Sequence, residues 1–230
     1  MIGVTIHADM IQGSEEWHAA RCGMLTASEM RLIMTPTGKV ANNDKARAHM
    51  WELMAQRITR HVEPAYVSED MLRGQDDELE ARALYAEHFA PVQEVGFITR
   101  EFDHCGERFT LGYSPDGLVG ADGLIECKSR RQKYQVQTIA EMAVPEEYLL
   151  QIHTGMLVTG RAWCDLVSYS GGLPMIPLRV EACSEMKRRI LNAAAEFERR
   201  MSEAMAAYHT TLATTRTVPT ERRVEMEMIV

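Results

Sequence analysis

Residues 114–128 read Ser-Pro-Asp-Gly-Leu-Val-Gly-Ala-Asp-Gly-Leu-Ile-Glu-Cys-Lys. The pattern predicts two short strands, 116–119 and 124–128, joined by the turn Gly120-Ala121-Asp122-Gly123. Glu126 and Lys128 are two positions apart, so on a strand they share a face while Cys127 points the other way. Chain reversal at the turn returns Asp116 to the side of that pair. Two carboxylates and an ammonium on one face suit a hard cation such as Mg²⁺, which binds through one or two carboxylates plus substrate phosphates. That is the equipment of metal-dependent phosphodiester hydrolysis.

Outward from this hairpin, residues 92–99 and 108–113 read as strands before it. A helix over 132–142 and another from Pro145 to about 158 follow it, the proline sitting well at a helix start. Residues 161–169 and 175–180 read as two more strands, separated by Ser170-Gly171-Gly172-Leu173-Pro174. Nearer the N-terminus, Ser14 caps a short helix through Arg21, with Glu15 and Glu16 in its first turn. Thr26 or Ser28 opens a second through Met34, and residues 35–39 form a loop. A longer helix spans 44–60, with Met50, Leu53, Met54 and Ile58 at helical spacing, and another spans 68–90, with Gly74 a candidate break. The last helix, 184–208, carries an apolar stripe from Met186 through Phe197 to Tyr208, suited to core or subunit contact. These elements predict an α/β core, a mixed sheet with helices before, between and after its strands. We expect one nuclease domain over 1–230: mainly helical to residue 90, α/β from 91 to 182, a C-terminal helix over 183–209, and a tail that is mobile or packed on a neighbour.

The chain has 230 residues, 46% hydrophobic and 25% charged, with no low-complexity tract, an ordinary soluble composition. No apolar run of about 18 residues occurs, and the N-terminus lacks the pattern of a signal peptide, so no membrane association is expected. Five scattered cysteines form neither a CxxC pair nor an even framework. They predict reduced thiols in a cytoplasm and give no support to structural zinc or an iron–sulfur cluster. The net charge of −8 argues against a nucleic-acid partner for the surface as a whole, but a cleft can be locally basic. Lys128-Ser129-Arg130-Arg131-Gln132-Lys133 is such a concentration, and reads either as a solvated loop or as DNA contacts.

Around the Asp116, Glu126 and Lys128 triad the chain resembles the PD-(D/E)XK nuclease superfamily, with a restriction-endonuclease-like core. Gln12-Gly13-Ser14-Glu15-Glu16-Trp17-His18, continuing through Arg21 to Glu29, resembles the N-terminal signature of the phage lambda-type exonucleases, members of the viral recombinase family. Residues 74–82, Gly-Gln-Asp-Asp-Glu-Leu-Glu-Ala-Arg, resemble that family's glutamate-bearing helix, and Gln151-Ile152-His153 its Gln-x-Gln segment, with histidine in place of the second glutamine. A D…ExK triad alone is weakly specific; four blocks in order are far more so.

The resemblance implies a Mg²⁺-dependent enzyme, with Mn²⁺ able to substitute, that digests one strand of linear double-stranded DNA from its 5′ end to mononucleotides. It leaves a 3′ single strand for recombination with a single-strand annealing protein, in the cytoplasm of a phage's or prophage's bacterial host. It also implies a ring-shaped homotrimer, whose channel could be basic beneath an acidic exterior. Asp116, Glu126, Glu78 and the Cys127 carbonyl are then metal ligands. Lys128 orients or activates water, or stabilises developing charge, and Gln151 holds the water or a phosphate oxygen. Arg21 and Ser28 bind the 5′-terminal phosphate, preferably present on the substrate. Arg130, Arg131, Lys133 and His153 are candidate DNA contacts. Met71 is either a strand-separating wedge or core, and Trp17 reads as core packing. Two other readings stand beside this one: a structure-specific or restriction-type endonuclease, and a non-catalytic DNA-binding protein with a degenerate nuclease core.

Overall fold

In the computed structural model, which describes residues 3–35, 37–64 and 68–222, the expected hairpin forms. Its strands are β6 (Gly117–Val119) and β7 (Gly123–Ser129), antiparallel, with Val119 opposite Gly123 and Gly117 opposite Ile125. Gly120 takes a left-handed φ of 52° in the turn, a conformation costly for residues with a Cβ. Arg161 Nη1 donates to the carbonyls of Gly120 at 2.9 Å and Gly123 at 2.7 Å, clamping the turn shut.

The chain runs β1 (Val4–His7), α1 (Glu15–Arg21), β2 (Leu25–Thr26), a 3₁₀ turn (Ala27–Glu29), α2 (Met30–Ile33), α3 (Asp44–Thr59) and α4 (Glu69–His88). Then come β3 (Val92–Gln93), β4 (Phe97–His104), β5 (Glu107–Tyr113) and the hairpin β6–β7. It closes with α5 (Gln132–Glu141), α6 (Glu146–Thr159), β8 (Trp163–Tyr169), β9 (Ile176–Glu181) and α7 (Ser184–Thr214). The strands divide between two mixed sheets, in the orders β1-β4-β5-β2 and β3-β6-β7-β8-β9, where the sequence pattern suggested one. The parallel pair β7–β8 requires a crossover, supplied by α5 and α6.

Helix α6 lies against both sheets, and its Leu150, Ile152, Met156 and Val158 share one core with Ile98, Leu111, Leu124 and Leu166. On the other face of β7 and β8, helix α4 packs Ala81 and Tyr85 against Ile125, Cys127 and Val167. Sheet two is therefore covered on both sides, which is why β7 is buried almost continuously rather than alternately.

The Ser14 cap follows the chemistry read from the chain, its Oγ accepting from the Trp17 amide at 3.2 Å; Asn43, which the sequence reading did not single out, caps α3 likewise, its Oδ1 accepting from the Ala46 amide at 2.9 Å. Four expectations need correcting. Strand β1 was not foreseen: Val4-Thr5-Ile6-His7 alternates, but over only four residues, three of them exposed, and its place is set by pairing with β4. The single strand expected over 92–99 is broken into β3 and β4, which enter different sheets. A Cβ at the intervening Gly96 would lie 1.7 Å from the Met10 carbonyl oxygen, so the chain passes there only as glycine. Helix α4 continues through Gly74; a glycine costs an exposed helix about 1 kcal/mol, which the packing of Ala81 and Tyr85 outweighs. Helix α7 runs to Thr214, past the expected end near 208. Pro36 and residues 223–230, within the expected loop and tail, lie outside the described residues.

One ion pair ties the helical segments together. Arg57 on α3 donates in a fork to Glu198 on α7 at 2.6 and 2.7 Å, and its Nε donates to the Gly23 carbonyl at 2.7 Å. Glu198 is buried, so removing it strands a guanidinium that packing holds in place. Glu198→Ala is expected to destabilise the protein by about 3 kcal/mol in urea unfolding. A loss below about 0.5 kcal/mol, the range of a surface pair, would show that the contact is not structural.

Candidate active site

Glu126 is 1% exposed, and a carboxylate so buried must be paired or hydrogen-bonded. Both of its oxygens are engaged. Lys128 Nζ stands 2.7 Å from Oε1, the contact expected for strand residues two apart. Gln151 Nε2, from α6, donates to the same oxygen. Tyr113, the last residue of β5, donates its hydroxyl to Oε2 at 2.8 Å. Gly155 on α6 makes room for that tyrosine, since a Cβ there would lie 2.7 Å from its ring.

Asp116, just before β6, accepts from the Cys127 amide at 2.6 Å through Oδ2, which fixes it beside the Glu126–Lys128 pair. Its own carbonyl accepts from Arg82 Nη1 of α4 at 3.3 Å. The Cys127 thiol faces the opposite way, into the core under α4. Glu78, half-buried on α4, completes the group from the other side.

Loss of water around Asp116 and the charge of Glu126 push its carboxyl well above the usual carboxylate range. Glu78 is likewise raised, first by burial, with Lys128 pulling back and Glu126 adding to the rise. Burial alone would lower Lys128, but the attraction of Glu126, Asp116 and Glu78 prevails and holds its ammonium protonated above its ordinary value. Burial and the Glu126 charge raise the Tyr113 phenol, so it remains a donor. Three carboxyl groups thus lean on one ammonium.

The same cavity, about 180 Å³, extends to the N-terminal block. Arg21, at the end of α1, lies over the Trp17 ring at 4.1 Å and donates to Thr26 Oγ1 at 3.3 Å. Burial lowers its guanidinium somewhat, and Glu29 opposes that shift. Ser28 is exposed at the cavity rim, in the 3₁₀ turn. Trp17 is not core, as the sequence suggested. Its half-buried ring walls the cavity, and its Nε1 donates to Ser114 Oγ at 2.8 Å.

The structure therefore brings Glu78, Asp116, Glu126, Lys128, Gln151, Arg21 and Ser28 to one cavity. It does not bring the rest there. Arg130 sits beyond Lys128, bonded to Glu147 at 2.8 Å and the Tyr148 hydroxyl at 2.6 Å. Arg131 is the exposed N-cap residue of α5, and Lys133 is exposed in its first turn. His153 is two positions from Gln151, about 200° around a helix, so it faces away; burial lowers its imidazole. Met71 is exposed in the first turn of α4, two turns before Glu78, which excludes the core alternative for it. Sequence reasoning missed Tyr113. Its place next to Ser114-Pro115-Asp116 was a signal, but its direction depends on how β5 meets α6.

Among the described residues, no three His, Cys, Asp or Glu side chains form a ready-made metal cage, and no helix is long and apolar enough to cross a membrane. The donor set still fits a hard cation. It is all oxygen, the Asp116 and Glu78 carboxyls are raised by burial and by the charge of Glu126, and Mg²⁺ takes only one or two carboxylates from a protein.

Residues 16–162 match the YqaJ-like viral recombinase domain. The chain is also similar to an alkaline exonuclease from Laribacter hongkongensis, at 33% identity and a TM-score of 0.69, covering 86% of this chain and 99% of that one. The structure of that exonuclease in complex with dAMP matches at 34% identity and a TM-score of 0.67, with the same coverage. A phage-related exonuclease from Haemophilus somnus, 12% identical, shares the fold at a TM-score of 0.51, over 79% of this chain and 96% of its own. No curated protein sequence matches. With its cavity assembled from all four sequence blocks and the domain match covering all but the first residues of the first block, the chain belongs to the YqaJ-like viral recombinase family.

Proposed function

We propose that the protein is a divalent-cation-dependent DNA exonuclease. It digests one strand of linear double-stranded DNA from the 5′ end and leaves a 3′ single strand for recombination by annealing. The observation that carries this reading is the shared cavity: Arg21 and Ser28 lie at one side of the Glu78, Asp116, Glu126, Lys128 and Gln151 cluster. A guanidinium and a hydroxyl recognise a terminal phosphate, while the acidic cluster addresses a phosphodiester one nucleotide away. Similarity to an alkaline exonuclease at 33% identity over nearly the whole of that enzyme supports the same activity.

Asp116, Glu126, Glu78 and the Cys127 carbonyl are the groups that would hold the cation, Mg²⁺ or Mn²⁺ in its place. When bound it supplies charge neutralisation at the phosphate and a more acidic water. Lys128, kept protonated by three carboxyl groups, acts as a donor to developing negative charge rather than as a base. Gln151 positions the attacking water or a phosphate oxygen, and Tyr113 fixes Glu126 from behind. Water adds to phosphorus and the bond to the 3′ oxygen breaks. The released nucleotide takes a 3′ hydroxyl, and the phosphate stays on the shortened strand. Each turnover thereby regenerates the end that Arg21 reads. We further propose a homotrimer of one-domain subunits, a single-strand annealing protein as partner, and the cytoplasm of a phage- or prophage-bearing bacterium as the setting.

With Mg²⁺ present, acid-soluble nucleotides are expected from linear duplex and not from a closed circle of the same sequence. Asp116→Ala should remain folded and lose activity by roughly 10³-fold or more. Equal release from circle and linear DNA would overturn the exonuclease reading, and an active Asp116→Ala the site.

A second prediction concerns pH. Asp116 and Glu78 have raised values in the fold, so their contribution to stability is present at low pH and lost as pH rises through those values. In EDTA the melting temperature should therefore fall as pH rises. A cation competes with those protons, so at one fixed concentration, about tenfold above its Kd in the higher-pH buffer, it should raise Tm by about 3–5 °C there and by less as pH falls. A shift independent of pH, or one retained in Asp116→Asn, would contradict the ligand assignment.

A further inference from the structure

Strand β7 places Glu126 and Lys128 on one face, and Arg130 follows just past its end, its amide donating to the Tyr169 carbonyl at 2.7 Å. That row leads out of the acidic cavity to the places where α5 and α6 begin. There Arg130 is clasped by two tyrosines, its guanidinium carbon 5.2 Å from the ring of Tyr134 and 5.2 Å from that of Tyr148. Lys128 Nζ lies 5.8 Å from the Tyr148 ring, so the cluster is continuous with the cavity. Lys133 Nζ lies 4.6 Å from the Tyr134 ring on the outer side. The Arg130 side chain is 9% exposed, yet its Nε has no hydrogen-bond partner. Tyr134 is 42% exposed, an aromatic face presented to solvent amid cations on a protein whose net charge is −8.

Cationic groups interleaved with aromatic faces bind unpaired nucleic acid: bases stack on the rings while the cations follow the backbone. A duplex cannot use the rings, because its bases are already stacked. We propose that Tyr134 and Tyr148, with Arg130 and Lys133, form a stacking site for a single-stranded DNA segment beside the cleavage cavity. The site accepts any base, since every base has a stacking face. It rests on the nuclease reading only for its biological meaning; the binding itself needs no catalysis. Helix α5 is suited to carry it. Gln135, fully buried behind Tyr134, donates to the carbonyls of Ser168 at 3.0 Å and Pro174 at 2.7 Å, so the helix is anchored independently of its exposed ring.

The test is fluorescence anisotropy of a labelled twelve-nucleotide oligo(dT) with a 5′ hydroxyl, in EDTA, which prevents cleavage and leaves the phosphate pocket unused. Tyr134→Ala should weaken binding by roughly tenfold, the loss of one stacked base. Tyr134→Phe, which keeps the ring, should stay within about twofold, as should Val136→Ala, a neighbouring exposed control. Binding of a blunt duplex of equal length should be unaffected by Tyr134→Ala. Wild-type oligo(dT) affinity in Tyr134→Ala would overturn the proposal, and so would an equal loss for duplex and single strand. If the protein fails to hydrolyse linear DNA but shows this pattern, the nuclease reading falls and the stacking site stands.

Discussion

A carboxylate sealed at the junction of two sheets is the constraint on which this structure turns. Glu126 is almost wholly withdrawn from water, and an isolated charge there would be prohibitive. Its neighbours are therefore not independent choices. Lys128 must lie on the same strand face, Gln151 must come from α6, and Tyr113 must reach across from the end of β5. Those three contacts come from three elements, and they hold sheet one, sheet two and α6 in one arrangement. Gly155 is the steric condition for it, since any side chain there would push Tyr113 off its partner.

Electrostatics then gives the cavity its chemistry. Glu126 is satisfied, but Asp116 and Glu78 are drawn into the same small volume, where burial first and the charge of Glu126 after it raise their carboxyls. Lys128 cannot balance three carboxyl groups, so the cluster carries an unmet demand for positive charge. A hard cation would meet that demand, and a bridging phosphodiester would share it. Arg21, one cavity wall away and braced on Trp17, adds a second attraction for phosphate. An acidic protein can thus handle DNA through a local cationic path.

Local geometry explains what was legible in the chain. The pairing of Glu126 with Lys128 follows from strand periodicity, and the hairpin from its Gly-rich turn; neither needs tertiary information. The helix starts at Ser14 and near Asn43 and Pro145 were legible for the same reason. What depended on long-range contact was not. The division of strands into two sheets turns on Gly96 passing the Met10 carbonyl, and Tyr113 meets Glu126 only because α6 leaves space at Gly155. Trp17 looked like core because tryptophan usually is; it walls the cavity because α1 lies on the surface, with no buried residue of its own. His153 lies outside the cavity for a simpler reason: two positions along a helix reverse the face, so Gln151 and His153 point to different sides of α6.

In the proposed function, one cavity both recognises a 5′ end and cuts beside it. The most direct measurement follows a duplex radiolabelled on its 5′-terminal phosphate, with wild-type protein and Arg21→Ala. The label should leave first, as a mononucleotide. Arg21→Ala should release it roughly 10–100-fold more slowly, the worth of a charge-assisted hydrogen-bond pair, while 5′-hydroxyl ends are cut at the wild-type rate. Label retained in long fragments while the rest of the strand is degraded, or an Arg21→Ala protein that still favours 5′-phosphate ends, would contradict the account.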